Sequence, residues 1–144
     1  MSLGGNRPEM KIIGRKEKVQ LPELGLFGVR AKIDTGAYTS SLHCLSAKES
    51  NGRLLCQFEE KHKEKTLIKT VPFAKFTKRK VRSSNGQLDD RYAIKTKIGI
   101  GKETLDIELT LSDRGKMKTE MLLGRKFLRK RYMVDVSTKY RLSK

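Results

Sequence analysis

In the segment FGVRAKID (27–34), Val29, Ala31 and Ile33 alternate with Arg30 and Lys32, and in TLDIELTL (104–111) Leu105, Ile107, Leu109 and Leu111 alternate with polar residues. A period of two sends one face of each segment to a core and the other to water, so both are predicted half-buried strands. MKIIGRKEKVQL, RLLCQFEE, TLIKTVPFAKF and RYAIKTKIGI carry enough apolar and β-branched residues to be further strands, with turns at SNGR, SSNG and GIGKE. Six or more strands are expected. The pattern supports one short helix, from about Lys126 to Tyr132 after Gly124, with Phe127, Leu128 and Tyr132 sharing a buried side. Strands without intervening helices point to an all-β barrel or sandwich and away from a βαβ fold.

A chain of 144 residues with 36% hydrophobic content suits one core and one domain. The opening MSLGG reads as cloning-derived, so residues 1–8 are set apart as a disordered start and 9–144 as the domain. The only internal echo is KIIGRK (11–16) against LLGRK (122–126), which reads as two strand ends that both need glycine. No run approaches the roughly 20 apolar residues of a membrane helix, and no basic-then-apolar signal opens the chain, so a cytoplasmic protein is expected. Cys44 and Cys56 do not make a disulfide framework.

Charge changes the picture of partners. Thirty-three Lys and Arg against sixteen Asp and Glu leave a net charge of +17, so the partner is expected to be acidic: nucleic acid, a ribosome surface, anionic lipid or an acidic protein tail. The basic residues bunch in KHKEK (61–65), KFTKRKVR (75–82) and GRKFLRKR (124–131). Few aromatic residues are available for stacking single-stranded bases.

The candidate chemistry lies in AKIDTGAYTSSLH (31–43). Asp34 ends an alternating strand, Thr35 offers a hydroxyl, Gly36 permits an unusual backbone, and the small Ala37 leaves room beside it. On these residues alone Asp-Thr-Gly reads equally well as a hairpin turn. His43, Cys44, Cys56 and His62 are of the right kinds for zinc, yet His43 and Cys44 are adjacent and no C-x-x-C pair is present. GIGKET is not a phosphate-binding P-loop and no H-E-x-x-H occurs, so neither metal nor cofactor is expected. Ser40, Ser41 and His43 with Asp34 make a serine-type triad no better supported than the zinc set.

The balance shifts at MLLGRKFL (121–128), an apolar strand ending in glycine before a helix. AKIDTGAYTSSL followed much later by EMLLGRKFL resembles the two signature segments of retropepsin-like aspartic proteases, and KVRSSNGQLDDRYAIKTKIGIGKETLDIEL is similar to their flap hairpin and return strands. With IIGRKEKVQLPELG, VRSSNG and SDRGKM, the resemblance extends over nearly the whole chain to the bacterial retropepsin-like family associated with RimK-type glutamate ligases. That family often carries the label "ATP-dependent zinc protease", which the residues above support in neither adjective.

The resemblance implies a single-domain retropepsin-like barrel with a flap hairpin and one short C-terminal helix. It makes Asp34 the catalytic acid/base, Thr35 and Gly36 its hydrogen-bonding support, Ala37 part of the substrate floor, and Arg125 an anchor of the subunit contact. Ser83, Ser84, Asn85 and Gly86 form the flap, with a more polar tip than the retroviral pattern, and the stretch from His43 to Phe76 is an insert. Two carboxylates sharing one proton are needed, so one Asp-Thr-Gly per chain implies a homodimer. Three functions compete: a dimeric aspartic peptide hydrolase, a catalytically idle retropepsin fold that recruits a modification ligase, and a basic RNA- or ribosome-binding barrel. For the first, charge and resemblance together suggest glutamate-rich tails on a ribosomal protein as substrate, held by Lys78, Arg79, Lys80, Arg82 and Arg91 around the flap.

Overall fold

A ring of six strands closes on itself and surrounds the core of this protein. The computed structural model describes residues 9–82, 85–113 and 118–142. The chain begins with β1 (Lys11–Gly14), β2 (Lys16–Leu21), a 3-10 turn (Pro22–Leu24), β3 (Leu26–Ile33) and β4 (Ser40–His43). The middle holds β5 (Ser46–Ser50), β6 (Arg53–His62), β7 (Lys65–Phe73) and β8 (Thr77–Arg82). Then come β9 (Leu88–Ile100), β10 (Glu103–Ser112), β11 (Met121–Leu123), α1 (Arg125–Leu128) and β12 (Tyr132–Asp135). The ring runs β10-β4-β11-β3-β2-β9 and returns to β10 by the antiparallel β9–β10 pair. Closure removes the open edges that a sheet would otherwise present.

The alternation expected from the sequence is what fills this ring. Val29, Ala31 and Ile33 of β3 are buried, Lys32 is exposed, and Ile107, Leu109 and Leu111 of β10 are buried in the same cluster. Two positions depart from it: Leu105 is only half-buried, and Thr110 is buried with its hydroxyl donating to the Ser40 carbonyl at 3.2 Å. The expected helix is shorter than read. It covers Arg125–Leu128, because Arg129 is extended and Lys130 takes a left-handed φ of 66° that a continuing helix forbids. Tyr132 instead opens β12, paired parallel with β1, and still reaches Phe127, the two rings stacking 6.0 Å apart.

The segment read as an insert folds as a second, antiparallel sheet in the order β5-β6-β7. Asn51 and Gly52, both at left-handed φ, make the tight turn between β5 and β6. Leu54, Cys56 and Phe58, alternate residues in the first part of β6, are fully buried and join the barrel core, so this sheet caps the barrel on one side. The flap is the β8–β9 hairpin, an extension of the ring in which β9 pairs with β8 through Leu88–Ala93 and with β10 from Ala93 onward.

A buried carboxylate ties the two ends of the domain together. Glu17, with no exposed surface, accepts hydrogen bonds from the backbone N–H groups of Gly14 (2.8 Å), Arg141 (3.0 Å) and Leu142 (3.0 Å). Glu17→Ala leaves these donors without their acceptor and is expected to destabilise the chain by about 3 kcal/mol or more, whereas Glu17→Gln, which keeps an oxygen in place, costs less. Denaturant midpoints of the two variants against wild type check this ordering.

Candidate active site

Asp34 is delivered by the parallel pairing of β3 with β11. Leu123 lies opposite Ile33, and the Asp34 N–H donates to the Leu123 carbonyl at 2.9 Å, which fixes where the strand stops. Beyond it the chain turns tightly: the Gly36 N–H donates to Asp34 Oδ1 at 2.9 Å and the Ala37 N–H to the Asp34 carbonyl at 3.2 Å. Gly36 is not in the left-handed region; its role is space, since a Cβ there would stand 3.2 Å from Asp34 Oδ1. Asp34 and Ala37 are half-buried while Thr35 and Gly36 are exposed, so the carboxylate sits at the mouth of the loop.

The other wall of the loop is the start of α1. The N–H groups of Arg125 and Lys126 donate to the carbonyls of Ala37 (2.8 Å) and Tyr38 (3.0 Å), and Gly124 N–H donates to Ser40 Oγ at 3.0 Å. Gly124 is packed against backbone so closely that a Cβ would lie 2.5 Å from the Thr39 carbonyl oxygen and 2.8 Å from that of Ala37. Arg125 donates to the Thr35 carbonyl at 3.0 Å and lies over the Tyr38 ring at 5.7 Å. Within one chain, then, the Arg125 side chain braces the Asp-Thr-Gly loop.

In the serine-type set, Ser40 and His43 have partners other than Asp34. Ser40 is buried and spends its hydroxyl on Gly124, while His43 Nε2 lies 2.6 Å from Glu59 and its Nδ1 3.5 Å from Asp113. Cys44 and Cys56 are free, buried thiols, and Cys44 Sγ donates to the Ser46 carbonyl at 3.0 Å; the interaction between the two thiols pulls Cys44 down and pushes Cys56 up from their ordinary values. The His62 side chain lies outside the described residues, and among those described no three His, Cys, Asp or Glu side chains are arranged to hold a metal ion.

The match to known proteins covers the same elements. A family model described as "RimB-like: Retropepsin-like aspartic endopeptidase RimB" matches residues 12–144. The chain belongs to the RimB-like family. It is 36% identical over 130 residues to a "Probable alpha-L-glutamate ligase" of Desulfotalea psychrophila, covering 87% of this chain and 28% of that protein. A protein of the same description from Shewanella halifaxensis is 32% identical over 133 residues, covering 90% and 29% respectively. The chain thus spans less than a third of the length of these relatives. A crystal structure of a protein of unknown function from Legionella pneumophila superposes with a TM-score of 0.65 at 22% identity, covering 93% of this chain and 99% of that one, which shows the shared fold. The RimB-like match runs through the β5–β7 sheet as well as the barrel.

In this RimB-like domain the five cations nominated around the flap do not form one strip. Side chains alternate along a strand, so Lys78, Lys80 and Arg82 face one way while Arg79 and its cross-strand partner Arg91 face the other. Several are also occupied: Lys78 lies 3.5 Å from Glu49, Arg79 donates to Glu108 at 2.9 Å, Arg91 lies 3.8 Å from Asp89, and Arg82 donates to the Gly86 carbonyl at 2.8 Å. Ser83 and Ser84 lie outside the described residues; Asn85 accepts from Gln87 N–H at 3.2 Å and Gly86 takes a left-handed φ of 85°. Glu108, together with Lys126 at 3.5 Å, was not singled out by the sequence because an isolated acid on the outward face of a strand carries no signal.

Two outcomes follow from this geometry. Gly124→Ala forces backbone apart at the loop and is expected to cost about 3 kcal/mol, read as a lower thermal midpoint; an unchanged midpoint contradicts the close approach. Burial opposes ionisation of Glu108, but hydrogen bonds and charges from Arg79 and Lys126 outweigh it and hold this carboxyl below its ordinary value of 4.5. A depressed folded value means that the unfolded chain takes up the proton first, so this stabilisation is present above pH 4.5 and is lost as pH falls below it. The fall should be shallower in Glu108→Gln than in wild type when stability is measured across that range.

Proposed function

We propose that the chain is an aspartic-type peptide hydrolase that works as a homodimer, with Asp34 from each subunit forming the catalytic pair. The observation that carries this reading is the Asp34 loop itself: a carboxylate at the end of a core strand, hydrogen-bonded to Gly36 N–H and backed by Leu123 and Arg125. Two such carboxylates brought face to face cannot both ionise easily, so one keeps a proton. The ionised Asp34 takes a proton from water as its oxygen attacks the peptide carbonyl, and the protonated partner donates to the carbonyl oxygen. Collapse of the tetrahedral species returns a proton to the leaving nitrogen, and peptide plus water become acid plus amine. Each chain supplies one Asp-Thr-Gly, and a two-fold axis is the economical way to assemble two. In this reading Thr35, Gly36 and Ala37 support the pair, Ser83 to Gly86 cover it, and Arg125 lies by the subunit contact.

The substrate proposed is an acidic, glutamate-rich peptide segment. Its support is the net charge of +17 and the relatives named as glutamate ligases, whose chains contain a segment similar to this one. Lys78, Arg79, Lys80, Arg82 and Arg91 would contact it from the two faces of the flap. A role beside a RimK-type ligase acting on a ribosomal protein, in the cytoplasm, belongs to the same reading. No helix among the described residues is long and apolar enough to cross a membrane. The same relatives favour a second reading, in which the fold only holds the acidic segment for a ligase and cuts nothing.

Hydrolysis of glutamate-rich, neutral and basic peptides, together with sedimentation analysis, separates the readings. The hydrolase reading expects a dimer, preference for the glutamate-rich peptide, and loss of turnover by roughly a thousandfold or more in Asp34→Asn with the fold retained. Undiminished cleavage in Asp34→Asn, or full activity in a stable monomer, overturns it. Tight binding of the acidic peptide without cleavage by wild type favours the idle fold, and preference for a short RNA over that peptide favours the RNA-binding barrel.

A further inference from the structure

The base of the flap is gripped on both faces by carboxylates that belong to other elements. We propose that Glu49 and Glu108 are latches that hold the flap base in position, and that an acidic peptide releases them by competing for the same cations. The proposal rests on the acidic-peptide reading above, and it makes Glu49 and Glu108 positioning residues that touch neither substrate nor the reacting atoms.

On one face of the hairpin stand Lys78 and its cross-strand partner Tyr92. The Tyr92 hydroxyl donates to Glu49 Oε2 at 2.8 Å, and Lys78 Nζ lies 3.5 Å from the same oxygen and 5.4 Å from the centre of the Tyr92 ring. Phe76 packs edge-on against that ring at 5.8 Å, so the contact is positioned by apolar packing as well as by charge. Glu49 lies on β5, which makes the capping sheet the flap's support on this side.

On the opposite face Arg79 donates to Glu108 Oε2 at 2.9 Å, while Lys126 Nζ lies 3.5 Å from Glu108 Oε1. Glu108 belongs to the barrel and Lys126 to α1, directly after the Arg125 that holds the Thr35 carbonyl. Bonded groups therefore run from the flap arm to the loop that carries Asp34. A hairpin fixed on only one face could swing; fixed on both, it is held at one height.

The strength of the grip makes it exchangeable. Partly exposed pairs of this kind shift an equilibrium by roughly two- to fivefold each, so a segment bearing several carboxylates can displace them where a single acid cannot. Competition for Lys78 and Arg79 is reciprocal: ligand loosens the flap, and loss of a latch carboxylate strengthens the ligand.

The test uses the full chain with Glu49→Gln, Glu108→Gln and, as a control of equal charge change in the β6–β7 turn, Glu64→Gln. Amide hydrogen exchange of residues 77–82 and 88–93 is followed by mass spectrometry. Affinity is measured for a labelled peptide ending in a short run of glutamates and for its glutamine counterpart. Both latch variants are expected to exchange faster in the flap arms and to bind the glutamate peptide roughly two- to fivefold more tightly, with the glutamine peptide unaffected and Glu64→Gln like wild type. Saturating wild type with the glutamate peptide should also speed flap exchange. Unchanged exchange in both latch variants, or equal effects from Glu64→Gln, overturns the latch. Equal binding of the two peptides by wild type overturns the acidic-peptide reading and the competition with it, an outcome distinct from unchanged exchange.

Discussion

The approach of Gly124 to the carbonyls of Ala37 and Thr39 is the contact on which the site depends. No side chain fits between the segment leaving β11 and the one leaving β3, since a Cβ at 124 would stand 2.5 Å from Thr39 oxygen. Because backbone meets backbone there, the N–H groups of Arg125 and Lys126 reach the carbonyls of the Asp34 loop, and Ser40 Oγ receives the Gly124 N–H. The carbonyls of Ala37 and Tyr38 and the N–H groups that open α1 are thereby paired with one another. The loop's shape is imposed by two neighbouring strands and a helix start, so the position of Asp34 does not rest on the loop's own residues alone.

Gly14 shows the same device at the other glycine of the repeated Gly-Arg-Lys. A Cβ on Gly14 would meet the Thr138 carbonyl at 2.8 Å, and neither glycine has a left-handed φ. Both positions therefore exclude side chains for lack of room, and the echo in the sequence marks two crowded strand ends. Gly36 is less crowded, with only the Asp34 side-chain oxygen near at 3.2 Å from a Cβ, and it too has no left-handed φ.

Legibility followed periodicity. Val29, Ala31, Ile33, Ile107 and Leu109 announced their strands because every second residue had to be buried, and Asp34 was found as the acid that ends one such run. The end of α1 was missed by several residues, since the left-handed φ of Lys130 is a choice of backbone that no glycine or asparagine advertised. β6 was visible as a strand, yet nothing local says that Leu54, Cys56 and Phe58 close the barrel from a second sheet. Ser40 and Glu17 were invisible as structural groups because one buried polar residue has no period; only their hydrogen-bond partners far along the chain define them. The basic run 75–82 was read as a unit because charge adds along a sequence, whereas side chains in a strand part to opposite faces.

The clasp at Glu17 also bears on how the domain comes to exist. Its acceptors join Gly14 to Arg141 and Leu142, and β1 finds its partner in β12. Contacts spanning almost the whole domain carry a large loop-closure cost before they return any stability, so folding is expected to be slow and concerted. During synthesis Asp34 leaves the ribosome long before Leu123, Gly124 and Arg125, the residues that give its loop a shape. A nascent chain thus carries the acid without the architecture, and the Asp34 loop acquires its shape only when the domain is nearly complete.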